Sequence, residues 1–125
     1  KLPTLKIVYS EGQIGWIPYI LERADKVWED NRAWGGVTDK VTEPPSTYYY
    51  RQIYGCFFDD EYGLDNLEKV GLNNVCFETD YPHSDSTWPH SRQIAHKLMG
   101  HLERDVVSKL VRGNAIDLLG LDLER

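Results

Sequence analysis

The residues best suited to chemistry fall in one short run, Val75-Cys76-Phe77-Glu78-Thr79-Asp80-Tyr81-Pro82-His83. The turn-forming pair Asn73-Asn74 precedes three apolar strand formers, and the run ends in a carboxylate, a proline and a histidine. Pro82 lacks the N–H that a continuing ladder needs, so Asp80 marks where the strand stops. In parallel α/β sheets the carboxyl ends of strands face the ligand. A carboxylate there can hold a metal or take a proton. An aspartate in this setting can equally bond its own turn, and the local pattern leaves both uses open.

Two other apolar runs end in acids: Glu11 follows the first, and Asp59-Asp60-Glu61 follows the second. In a parallel sheet the loops after the strands share one rim. Glu11, the acidic triplet, Asp80 and His83 are therefore expected near one another, around a metal or a substrate; plain solvation of acidic loops is the alternative. The histidines His83, His90, His96 and His101 form no His-Glu-x-x-His motif, and His96 and His101 do not share a helix face. Cys56 and Cys76 match no short zinc or redox motif. They are expected to be buried free thiols, with a disulfide between neighbouring strands as the alternative.

Positioning these groups requires alternating strands and helices. Leu5 to Ser10 reads as a first strand, and Glu11 to Gly15 as a glycine-bearing loop. From Trp16 the period becomes helical. Trp16/Ile17, Ile20/Leu21, Ala24 and Val27/Trp28 form one stripe, and Gly35-Gly36 closes the helix. Val37 to Pro45 reads as a loop. Ser46 is the expected N-cap of a short helical turn through Tyr48, Tyr49 and Tyr50, whose rings should pack with hydroxyls at the surface or, in part, line a cleft. Ile53 to Phe58 is a second strand, Leu64 to Val70 a short helix stopped by Gly71, and Val75 to Thr79 a third strand. Helices follow from Ser91 and from Glu103, with Gly113-Asn114 expected to break the second before a last turn. Strands separated by helices imply parallel pairing with right-handed crossovers.

The chain has 125 residues, enough for one domain with a single core, and at 41% hydrophobic and 27% charged its composition is that of an ordinary soluble globular protein. A formal charge of −6 argues against nucleic acid or an anionic membrane as the main partner. No run approaches the roughly eighteen apolar residues of a membrane span, and no signal peptide is visible. A cytoplasmic protein is expected. The first residue is Lys1 rather than Met, so the chain reads as a piece of something longer.

Phe77-Glu78-Thr79-Asp80-Tyr81-Pro82-His83, followed by Asp85-Ser86-Thr87-Trp88-Pro89, closely resembles the last-strand signature of the family 2 amidohydrolases. These are metal-dependent TIM-barrel enzymes related to the aminocarboxymuconate semialdehyde decarboxylase group. The resemblance extends to Glu11-Gly12-x-x-Gly15-Trp16-Ile17-Pro18 with Leu21 to Asp25, to Pro45-Ser46-x-Tyr48, and to Arg112-Gly113-Asn114-Ala115.

What the resemblance implies is the C-terminal part of a (β/α)8 TIM barrel, strands six to eight with their helices, as one incomplete domain over residues 1–125. Asp80 would bind the metal and act as the catalytic proton acceptor. Glu11 stands where the decarboxylase group has a histidine and would meet the same metal, and His83 and Trp88 would face a small-molecule substrate. The cofactor would be a divalent metal, zinc first, in the complete enzyme. Reactions of the family are hydrolysis of C–N or C–O bonds and non-oxidative decarboxylation. The histidine ligands of the family's first and fifth strands are absent here, and a barrel needs about 250 residues. The chain alone is thus expected to be inactive and metal-poor, and to associate with itself or with the missing N-terminal part. A non-catalytic α/β module assembling as an oligomer is the alternative, as is a half-barrel whose metal ligands come from two chains.

Overall fold

A computed structural model describes residues 2–123. Three parallel strands, β1 (Ile7–Tyr9), β2 (Ile53–Phe57) and β3 (Val75–Phe77), form a sheet in the order β1-β2-β3. Val8 pairs with Tyr54, and Cys56 with Cys76. The helices between and after them are α1 (Ile17–Asn31), α2 (Pro45–Gln52), α3 (Glu61–Asp65), α4 (Leu67–Val70), α5 (Ser91–Met99), α6 (Arg104–Ser108) and α7 (Asn114–Leu119). A 3-10 turn at Leu72–Asn74 leads into β3. None of these helices is long and apolar enough to cross a membrane.

Side chains alternate across each strand, so every second residue meets the helices. Phe57 and Val75 are fully buried among Ile14, Ile17, Leu64 and Leu110, and Phe57 meets Phe77 edge-to-face at 5.6 Å. Gly55 belongs to the same face. A Cβ there would stand 2.9 Å from Ile14, so glycine lets the β1–α1 loop lie directly on β2. Cys56 and Cys76 point the other way, nearly buried at 6% and 7% exposure. The edge strand β1 is open along its whole length.

Four local expectations are corrected by the hydrogen bonds observed. The first helix ends at Asn31 rather than at the glycine pair, and the turn that follows is closed by the Gly35 N–H donating to Asn31 O at 2.7 Å. Ser46 does not cap α2. Its N–H and hydroxyl donate to the Asp25 carboxylate at 2.8 and 2.6 Å, so α1 supplies the acceptor. The segment before Gly71 is two short helices, parted where the Asn66 amide turns back to the Tyr62 carbonyl at 2.8 Å.

Gly113-Asn114 does not break the last helix. A π turn at Lys109–Gly113 joins α6 to α7, and the Asn114 amide donates to Leu72 O and Val75 O, both at 2.7 Å. A π turn holds extra residue length within the helix, and here it accompanies the inward turn of Asn114. The tyrosine triplet packs, but not with every hydroxyl at the surface, since that of Tyr49 is buried without a hydrogen-bond partner among the described residues. Tyr49 is buried, and the Tyr50 hydroxyl donates to Lys69 O at 2.6 Å.

Candidate functional site

Beyond β3 the chain turns sharply at Asp80, whose φ is +55°. An L-residue in that left-handed region carries a steric cost of about 1–2 kcal/mol. The Asp80 side chain is only 5% exposed, and its Oδ1 lies 2.8 Å from His83 Nδ1. The His83 backbone N–H also donates to Asp80 O at 2.9 Å, which fixes the imidazole above the carboxylate. Glu11 arrives from the end of β1, with Oε1 3.5 Å from the same His83 nitrogen. One ligand atom each from Glu11, Asp80 and His83 lies within 4.8 Å of the others.

Glu11 and Gln13 share the left-handed backbone, at φ +61° and +53°. Such strain persists where surrounding bonds over-determine the chain. Here the Glu11 N–H donates to Glu78 Oε1 at 2.6 Å, and the Trp16 indole N–H donates to Gly12 O at 2.8 Å. Gln13 Oε1 accepts the Phe58 N–H at 3.3 Å. Asp60 Oδ2 accepts the N–H groups of Ile14 and Gly15 at 2.7 and 2.6 Å.

Electrostatics follow from this crowding. The bond to Asp80 raises the His83 pKa above its ordinary value, helped by the charges of Asp80 and Glu11. Glu78 is also raised, chiefly because burial penalises its charge, against hydrogen bonds from the Glu11 N–H and Ser10 that favour it.

Of the acids expected on one rim, Glu11 and Asp80 come together with His83. Asp59 and Glu61 are exposed and outside this group, and Asp60 faces the loop backbone. Trp88 lies on the loop after Asp80 but is 62% exposed, and its ring meets Tyr81 edge-to-face at 5.6 Å. That loop is anchored by the Ser86 hydroxyl and the Thr87 N–H, donating to Thr79 O at 2.7 and 3.1 Å. Glu78 was not singled out by sequence reasoning. The available signal was strand parity, since Glu78 shares the face of Cys76, two residues earlier.

Two carboxylates and an imidazole form a donor set suited to a manganese- or zinc-type divalent cation. Among the described residues no other such group of three occurs. The fit is of three donors, so solvent or further protein groups would complete the coordination.

A family model described as amidohydrolase matches residues 1–121. None of the curated proteins compared matches the chain. An amidohydrolase from Mycobacterium avium subsp. paratuberculosis superposes with a TM-score of 0.75 at 21% identity, covering 94% of this chain and 29% of its own. A 5-carboxyvanillate decarboxylase from Sphingomonas paucimobilis gives 0.74 at 23%, covering 95% and 35%. A dihydroxybenzoic acid decarboxylase from a Polaromonas species, solved with manganese and 2-nitroresorcinol, gives 0.69 at 23%, covering 98% and 36%. The chain therefore spans about a third of the length of these structures. Over that third its mixed α/β fold is theirs.

Proposed function

The chain belongs to the amidohydrolase family, and we propose that it is the C-terminal part, about strands six to eight, of a metal-dependent (β/α)8 barrel enzyme. The observation that carries this reading is the meeting of Glu11, Asp80 and His83 within 4.8 Å at the carboxyl ends of β1 and β3. In barrel enzymes that end of the strands holds the active site.

Glu11, Asp80 and His83 would hold a divalent cation. When bound, such an ion supplies Lewis-acid charge and acidifies water. The Asp80 carboxylate is the proton acceptor in this reading. It is buried, and the His83 imidazole fixes one of its oxygens while leaving the other. Without a cation, the contact with Asp80 and Glu11 favours the imidazolium of His83; holding the cation would require the neutral ring, so binding would release that proton. Glu78 is a positioning residue that holds Glu11 through its backbone N–H. The exposed Tyr81–Trp88 pair offers aromatic edges to a flat or cyclic small molecule. Hydrolysis of a C–N or C–O bond and non-oxidative decarboxylation both use this proton handling, and two of the similar structures are decarboxylases of aromatic acids.

The open edge favours association as well. Leu5, Ile7, Val8, Tyr9 and Trp16 are each more than 40% exposed around β1, an unpaired apolar strand that another chain segment can extend. We assign this edge to the rest of a barrel or to a second copy.

Manganese titration of the full chain, followed by electron paramagnetic resonance of the free ion, tests the site. Saturable binding is expected in the unaltered chain, with Asp80→Asn weakening it at least about tenfold, or about 1.4 kcal/mol. Equal affinity in the two proteins removes Asp80 from the cation site.

A further inference from the structure

Cys56 and Cys76 are cross-strand partners in the β2–β3 register and project to the face opposite the helices. Both are free and nearly buried. Neighbouring strands run about 4.7–4.9 Å apart, inside the span of about 4.4–6.8 Å between α-carbons that a disulfide bridges. Nothing in the cation site uses either sulfur. The β2–β3 register sets the two thiols side by side, the neighbouring-strand arrangement that the sequence left open as the alternative to unpaired thiols.

We propose that Cys56 and Cys76 form a redox-active dithiol, oxidised by small hydroperoxides to an intrachain disulfide that staples β2 to β3. The two sulfurs are not equivalent. A hydrogen bond between the thiols lowers the Cys76 pKa and raises that of Cys56, burial adding to the rise. Attack by Cys76 with Cys56 resolving is the order proposed, and dimedone labelling decides it.

The Cys76 sulfur displaces hydroxide from the peroxide: an S–O bond forms, the O–O bond breaks, and Cys76 becomes a sulfenic acid. The hydroxide takes the Cys56 proton and leaves as water. The Cys56 thiolate then attacks the Cys76 sulfur, forming the S–S bond and releasing a second hydroxide, which takes up the proton first lost by Cys76. Two thiols and one peroxide give one disulfide and two waters, with two electrons passing from sulfur to oxygen.

The full chain, reduced and then freed of reductant, is titrated with hydrogen peroxide and read by intact mass and non-reducing peptide mapping. A monomer lighter by about 2 Da, with the Cys56 and Cys76 peptides linked and restored by dithiothreitol, is the expected result. Two thiols still open to alkylation after unfolding overturn the proposal. Disulfides only between separate chains, or peroxide oxygens retained on one cysteine beside a free partner, overturn it too. In Cys56→Ser, dimedone should trap a sulfenic acid on Cys76; faster labelling of Cys56 in Cys76→Ser reverses the assigned roles. The unaltered chain decides the disulfide itself, even where a serine variant fails to fold.

Discussion

Asp60 and Asp80 are the same residue type, each placed just past a strand of the same sheet, yet they are used in opposite ways. Asp60 is held by three backbone donors: Oδ2 accepts from Ile14 and Gly15, and Oδ1 accepts from Gly63 at 2.8 Å. Its environment is tight enough that a Cβ on Gly15 would stand 2.9 Å from Oδ1, and one on Gly63 2.4 Å from Ile14. Asp80 has one side-chain bond, to another titratable group, and pays for its position with a left-handed backbone. A carboxylate holding three backbone amides has most of its acceptor capacity committed to the fold. One that is buried, strained and facing an imidazole and a second acid keeps more of it for chemistry. The count and kind of donors, rather than the place at a strand end, separates the clamp from the candidate site.

The largest expected effect comes from removing the clamp. Asp60→Ala leaves three N–H groups without their acceptor, one of them on Ile14, which is fully buried. Bonds to charged groups are worth about 1.5–3 kcal/mol each and do not add fully, so a loss of about 3 kcal/mol is expected in urea unfolding. Asp80→Asn should cost less than about 1 kcal/mol, because the amide oxygen can still face His83. If the two variants lose stability equally, the distinction between clamp and site collapses.

How much of this was legible in the sequence depends on how far apart the partners lie. The strands of Ile7, Ile53 and Val75 follow from β-branched and aromatic runs, although β3 ends at Phe77 rather than at Thr79, three residues short of Asp80. Asp60 was read only as part of an acidic loop. Its partners Ile14 and Gly15 stand 46 and 45 positions away, and no local pattern reports them. Ser46 failed as a cap for the same reason, since Asp25 on the preceding helix outcompetes a local bond. Asn114 carries the reverse lesson. Gly-Asn is a turn signal, but a buried amide donating to two carbonyls at the start of β3 outweighs it. Glu78 is legible from strand parity, which places it on the face of Cys76.

A second, smaller effect probes the strain on the site side. Glu11 is exposed and left-handed at φ +61°. Glu11→Ala keeps the strain and loses the carboxylate, whereas Glu11→Gly loses both. The glycine variant should therefore be the more stable of the two by about 0.5–1 kcal/mol, its greater unfolded-state entropy offsetting part of the relief. Both should weaken manganese binding alike in the same titration. A glycine variant less stable than the alanine one would mean that the turn is held without strain, and the contrast with the unstrained clamp at Asp60 would lose half its content.

The smallest effect is a titration shift, and it isolates the pairing itself. In the metal-free chain the Asp80 contact, then the charges of Asp80 and Glu11, raise the His83 pKa. Protonated His83 gains a partner on folding, so its stabilising contribution is complete below the unfolded value, about 6.5, and is lost as pH rises through the higher folded value. His83 is exposed, so solvent screens the energy and the observable is the imidazole resonance rather than the unfolding curve. Proton NMR should find the His83 midpoint falling toward the ordinary value in Asp80→Asn, falling less in Glu11→Gln, and holding in Asp60→Asn. That order follows from distance and bonding: 2.8 Å to Asp80, 3.5 Å to Glu11, and an Asp60 carboxylate facing the Ile14 and Gly15 amides instead. A midpoint that Asp80→Asn leaves unmoved would show the imidazole free of Asp80 in solution, and Asp80 would then be a turn aspartate like any other.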